Sequence, residues 1–158
     1  MGYNFKIDSL DKNILSMLTK NARVPFLEIA RNCGVSGAAI HQRVQRLSRL
    51  GIISGSQLII EPKKIGYSTC AYIGIFLENA SLFNDVSKKL LGIPEITQCH
   101  YTTGQYSMFV KVYTKDNEHL KDVLADKIQA INGISRTETF ISLDVLIDRQ
   151  LPVIEKPD

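Results

Sequence analysis

The sequence predicts an α+β fold in two parts: an N-terminal helix-turn-helix and a C-terminal ferredoxin-like βαββαβ unit. Three observations lead there. Apolar residues recur at helical spacing as far as Leu50, while beyond Ser68 short strand-like runs take turns with helical stretches. Between the two regimes, Glu61-Pro62-Lys63-Lys64-Ile65-Gly66 reads as a hinge. The 158 residues allow two small domains, and 44% hydrophobic against 22% charged residues lets each bury a core.

Asp8-Ser9-Leu10-Asp11 supplies an N-cap with an acid three residues on, a variant of the capping box. Leu10, Ile14, Leu15 and Leu18 follow at helical spacing, and this first helix ends near Asn21. A second helix runs from about Pro25 to Cys33, with Phe26, Ile29 and Ala30 inward; Pro25 suits a first turn, where its missing N–H costs nothing. Gly34 suits a positive-φ turn, and Ser36 caps a third helix from about Gly37 to Leu50. Ile40, Val44 and Leu47 share one narrow sector of that helix. Ala38, Gln42, Gln45 and Arg49 lie opposite, flanked by Ala39 and Arg46. Gly51 stops the helix, and Ile52 to Ile60 resembles a short hairpin around Ser54-Gly55. The expected domains are residues 1–53, a hairpin linker 54–66, and residues 67–158.

In the second half, Thr69 to Leu77 is a strand, and Asn79 to Leu91 a capped helix closed by Gly92 and Pro94. Ile96 to Thr103 and Ser107 to Tyr113 are strands joined at Gly104. A helix from Asp116 to about Ile131 ends at Asn132-Gly133, and Ile134 to Leu146 is the last strand. This order is the split ferredoxin-like unit. Helices cover one face of its antiparallel sheet; apolar side chains on the other require a partner, which favours a dimer.

The net charge of +3 is unevenly spread. Residues 1–60 hold eight Lys and Arg against three acids, a balance of +5, and the remainder holds eleven against thirteen, or −2. A polyanion is therefore expected at the N-terminal part. The three cysteines, Cys33, Cys70 and Cys99, form no CxxC pair, so free thiols in a reducing cytoplasm are expected, with no disulfide framework and no metal site. No apolar run is long enough to span a bilayer, and no signal sequence opens the chain. His41, His100 and His119 are scattered and no nucleophile motif appears, so no catalytic residue is expected.

The run from Ala30 through Gly34 to Ile40 has the spacing that lets two helices cross steeply over a short turn. The second helix of such a pair can enter a major groove of double-stranded DNA. There Ala38 and Ala39 allow close approach, Gln42 and Gln45 suit adenine edges, and an arginine suits guanine edges. Ser36, Arg43, Arg46 and Arg49 suit phosphates, and His41 suits either target. The alternative is an ordinary three-helix bundle with a solvated basic face; the polarity of the third helix and the charge balance favour DNA.

The chain resembles the Lrp/AsnC, or feast/famine, family from Ile7 to about Leu151. The resemblance is carried by Leu10-Asp11-Lys12-Asn13-Ile14-Leu15, Asn21-Ala22-Arg23, Cys33-Gly34-Val35-Ser36 and Arg43-Val44-Gln45-Arg46-Leu47, then by Gly51-Ile52-Ile53-Ser54-Gly55 and Thr102-Thr103-Gly104-Gln105-Tyr106-Ser107. Ile40-His41-Gln42-Arg43-Val44, Phe109-Val110-Lys111-Val112, Lys127-Ile128-Gln129 and Thr137-Glu138-Thr139 place it closest to the asparagine-responsive branch. The resemblance implies a winged or extended helix-turn-helix, a hairpin linker and a ferredoxin-like sensor domain. It also implies dimers that assemble further, often to octamers, with an amino-acid effector between sensor domains of adjacent dimers. By position the effector residues are Tyr101, Thr103, Gly104, Gln105, Tyr106, Ser107 and Gln129, and the implied effector is L-asparagine, with no other cofactor. Gln105 and Ser107 stand where many leucine-type members carry acids; the asparagine-type branch shares the serine. Val24-Pro25 stands where many members place a capping Ser or Thr.

The residues themselves are compatible with a site at this loop. Gly104 permits a tight turn whose N–H groups can face a carboxylate, and Gln105, Ser107 and Gln129 offer neutral donors and acceptors suited to a side-chain amide. Read alone, the same segment is better explained as a strand-connecting turn; the resemblance is what favours a site. Two other functions are open to such a chain. One is an architectural DNA-binding protein that needs no effector; the other, by analogy to relatives of the family, is a tetrapyrrole (sirohaem) decarboxylase, which needs no intact basic recognition helix.

Overall fold

Asp8 opens the first helix, α1 (Ser9–Lys20), through a reciprocal capping box. Its Oδ1 accepts from the Asp11 N–H at 2.8 Å, and Asp11 Oδ2 accepts from the Asp8 N–H at 3.3 Å. These residues belong to a computed structural model that describes residues 7–153. Two compact units divide the chain: residues up to Ile59 together with those from Ile147 onward, and Ile60–Leu146.

In the first unit, α2 (Phe26–Cys33) begins one residue later than expected. Pro25 is its extended N-cap and offers no side-chain bond, as a proline in place of Ser or Thr must. Gly34 takes φ +66° and turns the chain, with the Val35 N–H closing on the Ala30 carbonyl at 3.1 Å. Ser36 then caps α3 (Gly37–Arg49), its Oγ accepting from the Ala39 N–H at 3.2 Å. Ile14, Ile29, Ala30 and Ile40 are buried where the three helices meet, with Leu10, Leu18, Phe26 and Val44 packed around them. Each fully buried aliphatic side chain contributes about 1.5–3 kcal/mol, so this small core is enough to set the crossing of α2 and α3.

The hairpin expected at Ser54-Gly55 does not form; Ile52 to Ile60 belongs to no strand. A two-residue hairpin loop needs positive φ at one or both central residues. Ser54 does not supply it, and Gly55 is nearly fully extended at φ +158°. Leu58 and Ile59 are consequently left 68% and 88% exposed. Pro62–Ile65 forms one 3₁₀ turn closed by Gly66 at φ +92°.

The second unit is a four-stranded antiparallel sheet in the order β2-β3-β1-β4, built from β1 (Thr69–Leu77), β2 (Ile96–Tyr101), β3 (Met108–Thr114) and β4 (Ile134–Ser142). A 3₁₀ turn capped by Asn79 leads into α4 (Phe83–Leu91). The helix expected from Asp116 is split into α5 (Asn117–Asp122) and a π turn, Val123–Ile128, in which the Gln129 N–H reaches back to the Leu124 carbonyl at 2.8 Å. Two strands are shorter than expected. β2 stops at Tyr101 because the Thr102 hydroxyl donates to the Tyr106 carbonyl at 2.6 Å and closes a tight loop. β4 stops at Ser142 because its partner, Cys70, lies one residue from the start of β1.

Alternation sorts the sheet into two faces. Ala71, Ile73, Ile75, Met108, Val110 and Val112 meet Val86, Leu90, Leu120, Val123 and Ile128 in the main core. The opposite face carries Tyr72 and Phe76 of β1, Phe109, Lys111 and Tyr113 of β3, and Arg136, Glu138 and Phe140 of β4. Tyr72 and Phe109 stack at 5.8 Å, Lys111 lies over the Tyr72 and Tyr113 rings, and Arg136 lies 3.9 Å from the Phe76 centroid.

Candidate DNA-reading helix and effector loop

The buried residues of α3, Ile40 and Leu47, fix which side of the helix faces away from the core. Ala38, His41, Gln42, Gln45 and Arg49 are exposed on that side, Ala39 is half-buried, and Ser36 is exposed at the N-cap. Surface groups already pair along the helix: Gln45 Nε2 lies 2.9 Å from His41 Nε2, and Arg49 Nε donates to the Gln45 carbonyl at 3.4 Å. The His41 ring also packs 5.9 Å from Phe26 of α2. The result is a helix whose outward edge carries small residues first, then amides, then a guanidinium.

Arg43 and Arg46 behave differently from Arg49. Arg43 donates to Asp8 through a short ion pair and to Asp11 Oδ1 at 3.2 Å; Arg46 Nη1 donates to Asp11 Oδ2 at 2.9 Å. Asp11 is fully buried, and Asp8 is about half exposed. The Arg43 hydrogen bond, and then the Asp11 N–H, hold the Asp8 carboxyl below its usual range, while the Asp8 and then the Asp11 carboxylates hold the Arg43 guanidinium above its own. These carboxylates lie 32 and 35 residues before the arginines they engage, so spacing along the chain gave no sign of them.

In the second unit, residues 102–107 form the loop that the sequence singled out. Gly104 takes φ +124°, a conformation that side chains resist, with open space where a Cβ would stand. Thr103, Gly104 and Gln105 are exposed. Ser107 is anchored by its N–H to the Ile75 carbonyl at 2.9 Å, and its Oγ accepts from the Leu77 N–H at 3.4 Å. Tyr101 lies on the helical side of the sheet, its ring 4.4 Å from Phe83. Tyr106 lies on the other side, seated over Gly74, and its hydroxyl donates to Glu138 Oε2 at 2.8 Å. That bond, together with burial, raises the Tyr106 phenol above its usual 10.

Gln129 is not brought to Tyr106 within one chain. Its Nε2 donates to Thr137 Oγ1 at 2.8 Å, and Thr137 opposes the core residue Ile75 while Glu138 opposes Gly74. Adjacent strand residues point to opposite faces, so the sheet separates the two. Gln129 instead lines an open groove of about 490 Å³ with Leu124, Thr139 and Ile141, beside the free edge of β4. Asp8 was read from the sequence only as a helix cap, and Glu138 and Thr139 only as part of the family resemblance; none was assigned to either site. Among the described residues no group of three His, Cys, Asp or Glu side chains is placed to hold a metal ion, and no helix is long and apolar enough to cross a membrane.

A helix-turn-helix joined to a separate α+β ligand-binding unit defines a DNA-binding transcription regulator governed by a small molecule. Residues 7–48 match the AsnC-type helix-turn-helix domain, and residues 70–152 match the Lrp/AsnC ligand-binding domain. The chain belongs to the Lrp/AsnC family. It is 48% identical over 145 residues to Regulatory protein AsnC of Haemophilus influenzae, covering 92% of this chain and 97% of the relative. To Regulatory protein AsnC of Escherichia coli K12 it is 41% identical over 148 residues, covering 94% and 97%. The solved structure of E. coli AsnC superposes with a TM-score of 0.89 at 40% identity, covering 94% of this chain and 99% of that one. The same fold recurs at 19% identity and a TM-score of 0.89 in a Neisseria meningitidis transcriptional regulator solved with L-Met, over 94% and 97% of the two chains. The named relatives are regulators.

Proposed function

We propose that this chain is a cytoplasmic, non-enzymatic regulator whose effector is L-asparagine. Dimers present two α3 helices to successive major grooves, about 34 Å apart on one face of the duplex. Gln42, Gln45 and His41 read base edges, Ala38 and Ala39 permit the approach, and Ser36 and Arg49 take phosphates. Arg43 joins the phosphate contacts when a phosphate displaces Asp8, and Arg46 adds its charge to the basic surface while held by the buried Asp11.

The aromatic face of the sheet supports the dimer. Phe140 is 49% exposed, the half-buried rings of Tyr72, Phe76, Tyr106 and Phe109 stand beside it, and the helices of this unit pack on the opposite face of the sheet. Placement of Gln129 and Tyr106 on opposite faces supports an effector site shared between copies, and therefore assembly beyond the dimer, to octamers. The observation that carries asparagine is the neutral loop. Gln105 and Ser107 offer amide and hydroxyl groups where an acid would select other partners, and both AsnC relatives match over nine-tenths of the chain, 92% and 94%.

Isothermal titration calorimetry with L-asparagine, L-leucine and L-glutamine tests the assignment. Saturable heat with asparagine alone is expected. Heat with leucine or glutamine alone, or with none of the three, refutes asparagine and leaves the DNA-binding reading standing.

A further inference from the structure

Two of the three arginines on α3 are already occupied by anions of the protein itself. We propose that Asp8 and Asp11 act as internal stand-ins for DNA phosphate, keeping Arg43 and Arg46 from non-specific duplex and so setting specificity. This rests on α3 being the DNA-reading helix.

A carboxylate offers a guanidinium the same paired oxygens that a phosphate does, so the two anions compete for one site. Asp11 is fixed: it is fully buried, locked in the α1 capping box, and touches both arginines at 3.2 and 2.9 Å. Asp8 is the exchangeable member. Its side chain is 48% exposed and that of Arg43 is 34% exposed, so a phosphate can approach their pair from solvent. Pairs as exposed as this are weak, so a phosphate held in register by base-edge contacts displaces Asp8, whereas the loosely placed phosphates of a random duplex do not.

Phosphate contacts carry affinity without sequence information. Each arginine held back therefore subtracts from binding to any duplex, while Gln42 and Gln45 lose nothing at base edges. Discrimination is a difference of two affinities, and it widens when the non-specific one falls. Asp8 and Asp11 are thus positioning residues that act through Arg43 and Arg46 and touch no base.

Asp8→Asn isolates the charge, because asparagine caps a helix as well as aspartate and can keep the bond from the Asp11 N–H. The full-length protein is titrated by fluorescence anisotropy into a random-sequence duplex and into one it has selected from a random pool, across a salt series. Asp8→Asn is expected to raise random-duplex affinity several-fold and to steepen the slope of log K against log salt by about 0.9 for each Arg43 released. The gain at the selected duplex is expected to be smaller. In an Arg43→Ala background Asp8→Asn should do nothing, and Arg43→Ala alone should barely change the random-duplex slope. The proposal is overturned by an unchanged slope in Asp8→Asn, or by an equal gain in the Arg43→Ala background, which reports only lost repulsion. A slope already flattened by Arg43→Ala in the otherwise native protein overturns it too. Gln45→Ala and Arg49→Ala keep the underlying reading separately testable: if neither weakens binding to the selected duplex, α3 is not the reading helix, whatever Asp8 does.

Discussion

Replacing Gly74 with alanine should unseat Tyr106 and destabilise the sensor domain by about 2 kcal/mol, near the middle of the range for overpacking a filled site. A Cβ at Gly74 would lie 2.4 Å from the Tyr106 ring, with two further ring atoms at 2.5 and 2.7 Å. Carbon atoms rest about 3.5–4.0 Å apart, so the ring must retreat by about 1 Å. Phe76 at 5.2 Å, Phe109 at 5.7 Å and Phe140 at 6.3 Å flank it, so the ring must lift off the sheet and give up part of that packing. Retreat also breaks the 2.8 Å hydrogen bond to Glu138. The intrinsic preference of a strand for alanine over glycine returns a part, under about 1 kcal/mol. Urea unfolding at fixed protein concentration reads the result: with a slope of about 1–3 kcal/mol per molar, the midpoint should fall by about 1 M. Gly74→Ala combined with Tyr106→Ala should lose less than the sum of the single changes. An unchanged midpoint in Gly74→Ala, or strict additivity in the pair, would refute the close-packed reading of this face.

Three further outcomes follow from the same geometry. Gly104→Val should abolish the effector response while leaving folded dimers, because its φ of +124° excludes a β-branched residue although the space is open; calorimetry and size-exclusion chromatography check both halves. Ser36→Ala removes the 3.2 Å cap bond to the Ala39 N–H and should cost about 1 kcal/mol of helix-turn-helix stability, seen as a lower melting midpoint. Glu95 supplies a pH dependence. Burial raises its carboxyl, but Lys127 at 2.6 Å, its own backbone N–H and His119 at 3.2 Å outweigh this and leave it below its usual 4.5. A depressed carboxyl contributes stability that is present above about pH 4.5 and lost as pH falls through the folded value. Lys127→Met should therefore destabilise the protein by about 1–3 kcal/mol at pH 7 and by less in acid, and an equal loss at both pH values would contradict the pairing.

The sequence was most legible where one residue decides a local geometry. Asp8 and Asp11, Gly34 and Ser36 mark helix ends through bonds made within three or four residues, and those ends fall within a residue of expectation. Strand β1 was legible as a short, nearly continuous apolar run, although Gly74, buried between Ile73 and Ile75, interrupts the alternation of buried and half-buried positions. The hairpin at Ser54-Gly55 failed because Leu58-Ile59-Ile60 has the composition of a strand, and composition does not provide a pairing partner. The π turn at Val123–Ile128 was hidden because its residues have ordinary helical periodicity; only the core, which takes in both Val123 and Ile128, demands the wider turn. At the candidate site, residue types and the loop were readable, but two relations were not. The carboxylates on Arg43 and Arg46 arrive from another helix, and the separation of Gln129 from Tyr106 depends on the β1–β4 register.

The central claim is that one amino acid, bound by the sensor domain, changes how α3 meets DNA. Binding to a duplex selected by the protein itself should be measured by anisotropy with and without saturating L-asparagine, and asparagine affinity by calorimetry with and without that duplex. The account predicts that asparagine shifts the DNA affinity by a measurable factor and that the duplex shifts asparagine affinity by the same factor, as coupling requires. DNA affinity indifferent to asparagine and to every other amino acid would contradict it and leave an effector-independent DNA-binding protein.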